Sequence, residues 1–281
     1  MVQRALLYLF LIFLALFLVA PFVWMVLVSL HPSKAPIPPM DQLLVTHRTA
    51  EGGQFVPQWQ NYRTVLFMPD IPVLRFLWNS VFVTASVVVG QLLVCSLAAY
   101  GFARLRFRFR EPIFALFLLS IMFAGPVTQL PVYLMVRSFG WLDTYWALIV
   151  PGLSSAFNVF LLRQMFLQVP MELDEAARMD GAGDWRIYWS VVMPLSKAAL
   201  ATAGTFTFFA VWTDFFWPLL ATNSMEMRTL EVGLSVFRNS YGGSNWPLQM
   251  TAAVIVMAPL LIVFLIGQRY FVRGVTVGTI K

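Results

Sequence analysis

From Ala5 to Leu30 the chain carries no formal charge. A helix needs about 20 apolar residues to cross the hydrocarbon of a bilayer, so this run is long enough, with tilt or overhang to spare. In lipid no water takes up the backbone N–H and C=O groups, and a single segment satisfies them only as a helix. Arg4 in front of the run suggests a signal peptide. The run is too long for one, however, and it passes through Pro21 without a clear small-residue cleavage site. It reads as a retained first span. Five more runs follow: Phe76–Phe102, Pro112–Val136, Thr144–Leu162, Ala198–Thr222 and Leu248–Gln268. Of the residues, 59% are hydrophobic and 11% charged, against roughly 25% charged in a soluble domain. The expected fold is an all-α integral membrane protein with six transmembrane helices.

The basic residues orient it. Arg4, the four arginines from 104 to 110, Arg163, Arg178, Arg186, Lys197, Arg269, Arg273 and Lys281 fall on one side of a six-span layout, which is 12 of the 19 Lys and Arg. By the positive-inside rule that side is the cytoplasm, and both termini lie there. Arg104, Arg106, Arg108 and Arg110 alternate with Leu105, Phe107 and Phe109. Such interleaving also occurs in nucleic-acid binders, but between two spans it reads as a membrane anchor, and no nucleic acid is expected. On the far side, His31–Pro72 is a polar, proline-rich loop containing Glu51-Gly52-Gly53, and Asn223–Pro247 is a loop with a turn at Tyr241-Gly242-Gly243-Ser244.

Several chemistries lack their residues. Cys95 is the single cysteine and reads as a small buried hydrophobe. His31 and His47 have no ligand partners near them and read as exposed histidines. No G-x-x-x-x-G-K-[ST] loop is present, so the chain itself should not hold ATP in that way. There is no H-E-x-x-H and no convincing nucleophile–base pair. An ion-coupled transporter would carry several intramembrane ionisable groups; here Asp214 is the acidic residue inside a span.

Polar residues inside the spans carry two readings. Ser80, Thr84, Val87 and Gln91 share a helical face of the second span. The polar ones either bond a neighbouring helix or line a translocation pathway. Asp214 either reaches outer-leaflet water or a neighbouring chain, or it meets a polar solute. Pro126 and Pro131 should kink or interrupt the third span. In the fifth, Ala199/Ala203 and Ala201/Thr205 are small residues four apart that permit close packing.

Between the fourth and fifth spans lies a charged segment, Pro170 to Pro194. Glu172, Asp174 and Glu175 favour a helix N-terminus, where Pro170 fits the first position. Ala176 and Ala177 keep one surface narrow. Gly181 can end the helix with left-handed angles, and Asp184–Val192 then forms a second helical stretch.

This segment resembles the Glu-Ala-Ala loop of importer-type ABC transporter permeases: Glu175, Ala176, Ala177, Gly181, then Val191, Met193 and Pro194 at the matching spacing. Asn79-Ser80, the Leu142–Ala147 run, Trp212–Pro218 and Phe271–Gly274 extend the likeness, over roughly Phe76 to Lys281, to carbohydrate importer permeases of the maltose-type inner-membrane subunit group. The resemblance implies a type I ABC importer in a bacterial or archaeal cytoplasmic membrane. Its partners are a second permease subunit, two ATPase domains and an external solute-binding protein, and its cargo is a sugar or oligosaccharide. ATP and magnesium belong to the partner ATPase, with no cofactor on this chain. Glu175 would pair with a basic group in an ATPase cleft, Ala176 and Ala177 would pack there, and Gly181 would turn the chain, with Arg178 and Asp180 in the same coupling segment. The division expected is 1–72 (first span and external loop), 73–268 (transmembrane domain) and 269–281 (tail). A permease for another polar solute remains the alternative.

Overall fold

The computed structural model describes residues 2–32, 57–123, 125–241 and 245–276, and among them every regular element is helical. The Glu51-Gly52-Gly53 segment, His47, Gly242–Ser244 and residues 277–281 lie outside the described residues. Three helices are long and apolar enough to cross a membrane, or six if each bent pair of helices is one span. The chain divides into two compact units, Met1–Phe76 with Leu230–Pro259 and Leu77–Thr229 with Leu260–Lys281.

The first unit holds α1 (Val2–Ser29), α2 (Gln60–Leu66), the start of α3 (Val73–Arg104), α13 (Leu230–Tyr241) and the first part of α14 (Trp246–Thr276). The C-terminal end of α1 leaves carbonyls without helical partners, and polar side chains take them up. Asn61 Nδ2 donates to Ser29 O and His31 O, both at 2.8 Å, and Thr251 Oγ1 donates to Ser29 O at 3.2 Å. His31 is therefore not the exposed histidine expected: it is 2% exposed, with its ring Nδ1 2.8 Å from Leu27 O. Gly233 lies against Phe76, where a Cβ would come within 2.1 Å of the ring.

The second unit carries the rest of α3, then α4 (Arg110–Leu119), α5 (Gly125–Ser138), α6 (Tyr145–Ile149), α7 (Ala156–Leu167), α8 (Met171–Met179), α9 (Asp184–Ile187), α10 (Met193–Leu195), α11 (Lys197–Trp212) and α12 (Phe216–Ala221). The third span is interrupted as its prolines suggest: a 3-10 turn at Ser120–Met122 ends in extended backbone at Phe123, and Pro131 lies inside α5. The fourth bends by 41° where a 3-10 turn, Val150–Leu153, separates α6 from α7. A break in a span frees carbonyls, and α3 reaches one of them: Gln91 Nε2 donates to Gly152 O at 2.6 Å, while Cys95 Sγ lies 3.6 Å from Ser155 O, which already accepts from Val159 N at 3.0 Å. Gly152 permits this close approach of α3, since a Cβ on it would stand 3.0 Å from Val87 Cγ1.

The fifth span is not one helix through Thr222. α11 stops at Trp212, and Asp214 Oδ1 accepts from the backbone N–H of Phe216 at 3.1 Å and Trp217 at 3.3 Å. That carboxylate caps α12, and Pro218 has no N–H to carry the α11 hydrogen-bond ladder across the break. At the turn before α6, Asp143 Oδ1 accepts from Asn223 N, Ser224 N and the Ser224 hydroxyl at 2.9, 3.0 and 3.0 Å. Burial draws the Asp143 carboxyl upward, but these three donors together hold it below the usual carboxylate range.

Candidate functional site

The Pro170–Pro194 segment forms from its own local code. Pro170 sits just ahead of α8 as its N-cap rather than in its first turn, and Glu172 and Asp174 follow in that turn. At the other end Gly181 adopts φ +81°, Gly181 N donates to Arg178 O and Ala182 N to Ala177 O, both at 2.9 Å. That pair of bonds is a Schellman ending, which needs left-handed angles at the residue after the cap. Among the described residues, nothing beyond its own chain neighbours lies within 4 Å of a Cβ added at Gly181. The requirement there is the backbone angle and not space, so Gly181→Ala should cost about 1–2 kcal/mol, read as a lower unfolding temperature of the purified chain.

The inner face of this segment is tied to α3 by three side chains one helical turn apart. Ser96 shares a hydrogen bond of 2.7 Å with the Tyr188 hydroxyl, Tyr100 donates to Asp184 O at 3.1 Å, and Arg104 pairs with Asp174 at 3.5 Å. Ser96, Tyr100 and Arg104 are 0%, 5% and 6% exposed. Arg104 also donates to Phe166 O at 2.8 Å and Val169 O at 2.6 Å, and its guanidinium contacts Met171 Sδ. Its charge thus lies at the C-terminal end of α7, where the helix dipole favours a cation. Burial raises the Asp174 carboxyl, and the Arg104 guanidinium draws it part of the way back. Tyr188 opens a π-helical turn, Tyr188–Val192, that packs with Ile187, Ala199 and Ala203 into the core between α3, α7 and α11.

Two of the arginines counted for orientation are therefore interior groups. Arg104 is one. Arg163, 9% exposed, donates to both Glu111 oxygens at 2.9 and 3.1 Å and lies 4.1 Å from the centre of the Phe114 ring.

The outer face of α8 is open. Glu175, Ala176, Arg178 and Asp180 are exposed, and so are Leu173 and Met179, the last at 89%. Arg178 pairs with Asp184. Ala177 turns the other way and packs against the core, so of the two alanines Ala176 is the outward one. Sequence reasoning missed the inner face. The signal was the row Ser96, Tyr100, Arg104 at spacing four on an otherwise apolar helix.

The pathway candidates separate. Ser80, Thr84 and Asp214 line one cavity of about 60 Å³, with Val83, Trp217 and Thr229 among its other walls. The Thr84 and Thr229 hydroxyls are buried there, and among the described residues neither has a hydrogen-bond partner. Gln91 does not join them. Its Oε1 accepts from Asn158 Nδ2 at 2.6 Å and from the Thr207 hydroxyl, and Asn158 also donates to Thr207 Oγ1 at 2.7 Å. This buried triad holds α3, α7 and α11 together. Gln91→Leu should strand the polar groups of Asn158, Thr207 and Gly152 at about 1–3 kcal/mol. The check is a lower unfolding temperature of the detergent-purified chain.

Broken membrane helices, with a charged two-helix segment clamped to one span and its outer face exposed, define a membrane permease. The chain belongs to the family of binding-protein-dependent transport system inner membrane components, which matches residues 97–277. It is 35% identical over 221 residues to the sn-glycerol-3-phosphate transport system permease protein UgpE of Brucella abortus (strain 2308), covering 76% of this chain and 78% of that protein. The protein of the same description from Yersinia enterocolitica is 37% identical over 199 residues, 70% of this chain and 71% of that one. A chain in the crystal structure of a bacterial ABC transporter involved in the import of the acidic polysaccharide alginate superposes with a TM-score of 0.77 over 96% of both chains. At 24% identity that likeness speaks to the fold. A chain of the bacterial alginate ABC transporter in complex with an alginate pentasaccharide-bound periplasmic protein gives a TM-score of 0.62 at 13% identity, covering 95% of this chain and 92% of that one.

Proposed function

We propose that this permease is one of two membrane subunits in an ATP-driven importer for a sugar or oligosaccharide, working by alternating access. Of a pair of ATPase domains, which hold ATP and magnesium, one docks on α8. An external solute-binding protein delivers cargo to the opposite face, and both termini lie in the cytoplasm. Residues 1–72, 73–268 and 269–281 act as entry span with external loop, transmembrane domain and tail. The observation that carries the reading is the two-sided build of α8: Asp174 is held inside by Arg104, while Glu175 and Ala176 stand outside beside exposed Leu173 and Met179. A nine-residue helix is marginal by itself in water, so the inner clamp presents a formed helix to the partner.

The cavity beside Asp214 supports a hydroxyl-rich cargo. Its volume of about 60 Å³ suits waters or a single hydroxyl group rather than a whole ring, and its unpaired threonine hydroxyls can both donate and accept. A second reading is sn-glycerol-3-phosphate, on the strength of the relatives bearing that description. Solute-stimulated ATPase activity of the full complex, measured across oligosaccharides and sn-glycerol-3-phosphate with matched binding protein, decides between them. Stimulation by neither would overturn the importer reading for these solutes. Thr84→Val keeps the shape and deletes a buried unpaired hydroxyl, so stability should hold or rise by about 1 kcal/mol while uptake falls. Unchanged uptake would remove Thr84 from the pathway.

A further inference from the structure

We infer that the turn between α3 and α4 seats the headgroup of an anionic phospholipid. This rests on α3 and α4 belonging to membrane spans and does not depend on where the ATPase docks. Arg106, Phe107, Phe109, Arg110, Glu111 and Pro112 line an open cleft of about 540 Å³, within the size range of small-molecule sites. Its charges are unequally spent. Arg110 pairs with Glu111 at 3.0 Å, and Glu111 is taken a second time by Arg163 at 2.9 Å. The cleft's carboxylate is thus neutralised twice. Arg106 in the cleft and Arg108 at its edge, over the Phe109 ring, are exposed, and among the described residues neither has an acidic partner. What remains is an excess of guanidinium, a planar donor that grips phosphate oxygens two at a time.

The apolar groups choose the source of that phosphate. Phe107 and Phe109 are 43% and 60% exposed. Phe109 takes φ +65°, which turns the chain at the start of α4, and Arg108 lies 4.9 Å from the centre of its ring. Two exposed phenyl rings beside two unpaired arginines, where a 32-residue apolar helix ends, match the boundary between acyl chains and headgroups. A soluble phosphate would use the arginines and leave the rings in water. The cleft also borders the coupling segment: Arg106 and Phe107 line a second cavity whose opposite walls are Asp174, Glu175 and Arg178. A lipid seated on Arg106 therefore stands next to the docking helix.

The test titrates the detergent-purified full chain with dioctanoyl phosphatidylglycerol, dioctanoyl phosphatidylcholine and inorganic phosphate, reading bound lipid by native mass spectrometry. Phosphatidylglycerol should bind, and phosphatidylcholine should bind at least tenfold more weakly. A basic residue near an anionic headgroup contributes about fivefold in affinity, so R106Q/R108Q should lose roughly 25-fold. R106K/R108K should retain most of the affinity, and R137Q, an equal loss of charge elsewhere, should change nothing. Equal binding of the two lipids, undiminished binding by R106Q/R108Q, equal loss in R137Q, or displacement by millimolar phosphate would each overturn the assignment.

Discussion

Reversing the charge at Glu175 should release the ATPase from the permease pair and abolish uptake, with the helices still folded. Glu175 is exposed on α8 and its neighbour Ala176 leaves room for a close approach. A carboxylate that meets a cation in a partly buried cleft contributes 2–5 kcal/mol by the usual truncation measure, roughly 30-fold to several-thousand-fold in affinity. Glu175→Lys replaces that attraction with repulsion. Glu172→Lys, nearer the start of the helix, should be milder. ATPase retained on the purified permease pair and solute uptake in reconstituted vesicles are the two readings. Full retention with full uptake would show that α8 is not the docking element.

The second large effect lies on the hidden side of the same helix. Arg104 and Asp174 have side chains only 1% and 5% exposed, and removing one member of such a pair costs about 3–5 kcal/mol because the other charge is left buried. Arg104→Ala should lower the unfolding temperature sharply and loosen α8. Arg104→Lys should not rescue it, since a single ammonium does not reproduce the fork that reaches Phe166 O, Val169 O and Asp174 together. The double variant Arg104→Met/Asp174→Leu removes both charges and should recover most of the stability. If it also recovers transport per ATP hydrolysed, the pair serves folding alone. If stability returns while coupling does not, the pair positions α8 for its partner.

Much of this was legible because it is local. The uncharged run from Ala5 is α1, and the glycine at 181 ends α8 because an αL residue is needed there and glycine supplies it cheaply. The break after Trp212 was hidden: Asp214 was weighed for what lies outside its helix, when its carboxylate caps the next one. The polar stripe on α3 was visible, but periodicity placed Thr84 and Gln91 on one face without saying that one faces a cavity and the other the carbonyls of a broken span. Arg104 was misjudged for a related reason. An arginine at the end of an apolar run looks the same in sequence whether it meets water or two helix ends, and its partner Asp174 is far away in the chain.

The row of Ser96, Tyr100 and Arg104 has a consequence for recombination among such permeases. Four residues of α-helix rise about 6 Å, so the three attachments stand at fixed heights on α3, and each asks for a different chemistry: a hydroxyl for Tyr188, a donor for the Asp184 carbonyl, a cation for Asp174. The Pro170–Pro194 segment is in this sense keyed to its own second span. A foreign segment grafted between the same two spans keeps its own outward face but meets a lock cut for another key. Exchange of this segment between permeases is therefore a matter of moving two stretches of chain together, the loop and the face of α3 beneath it.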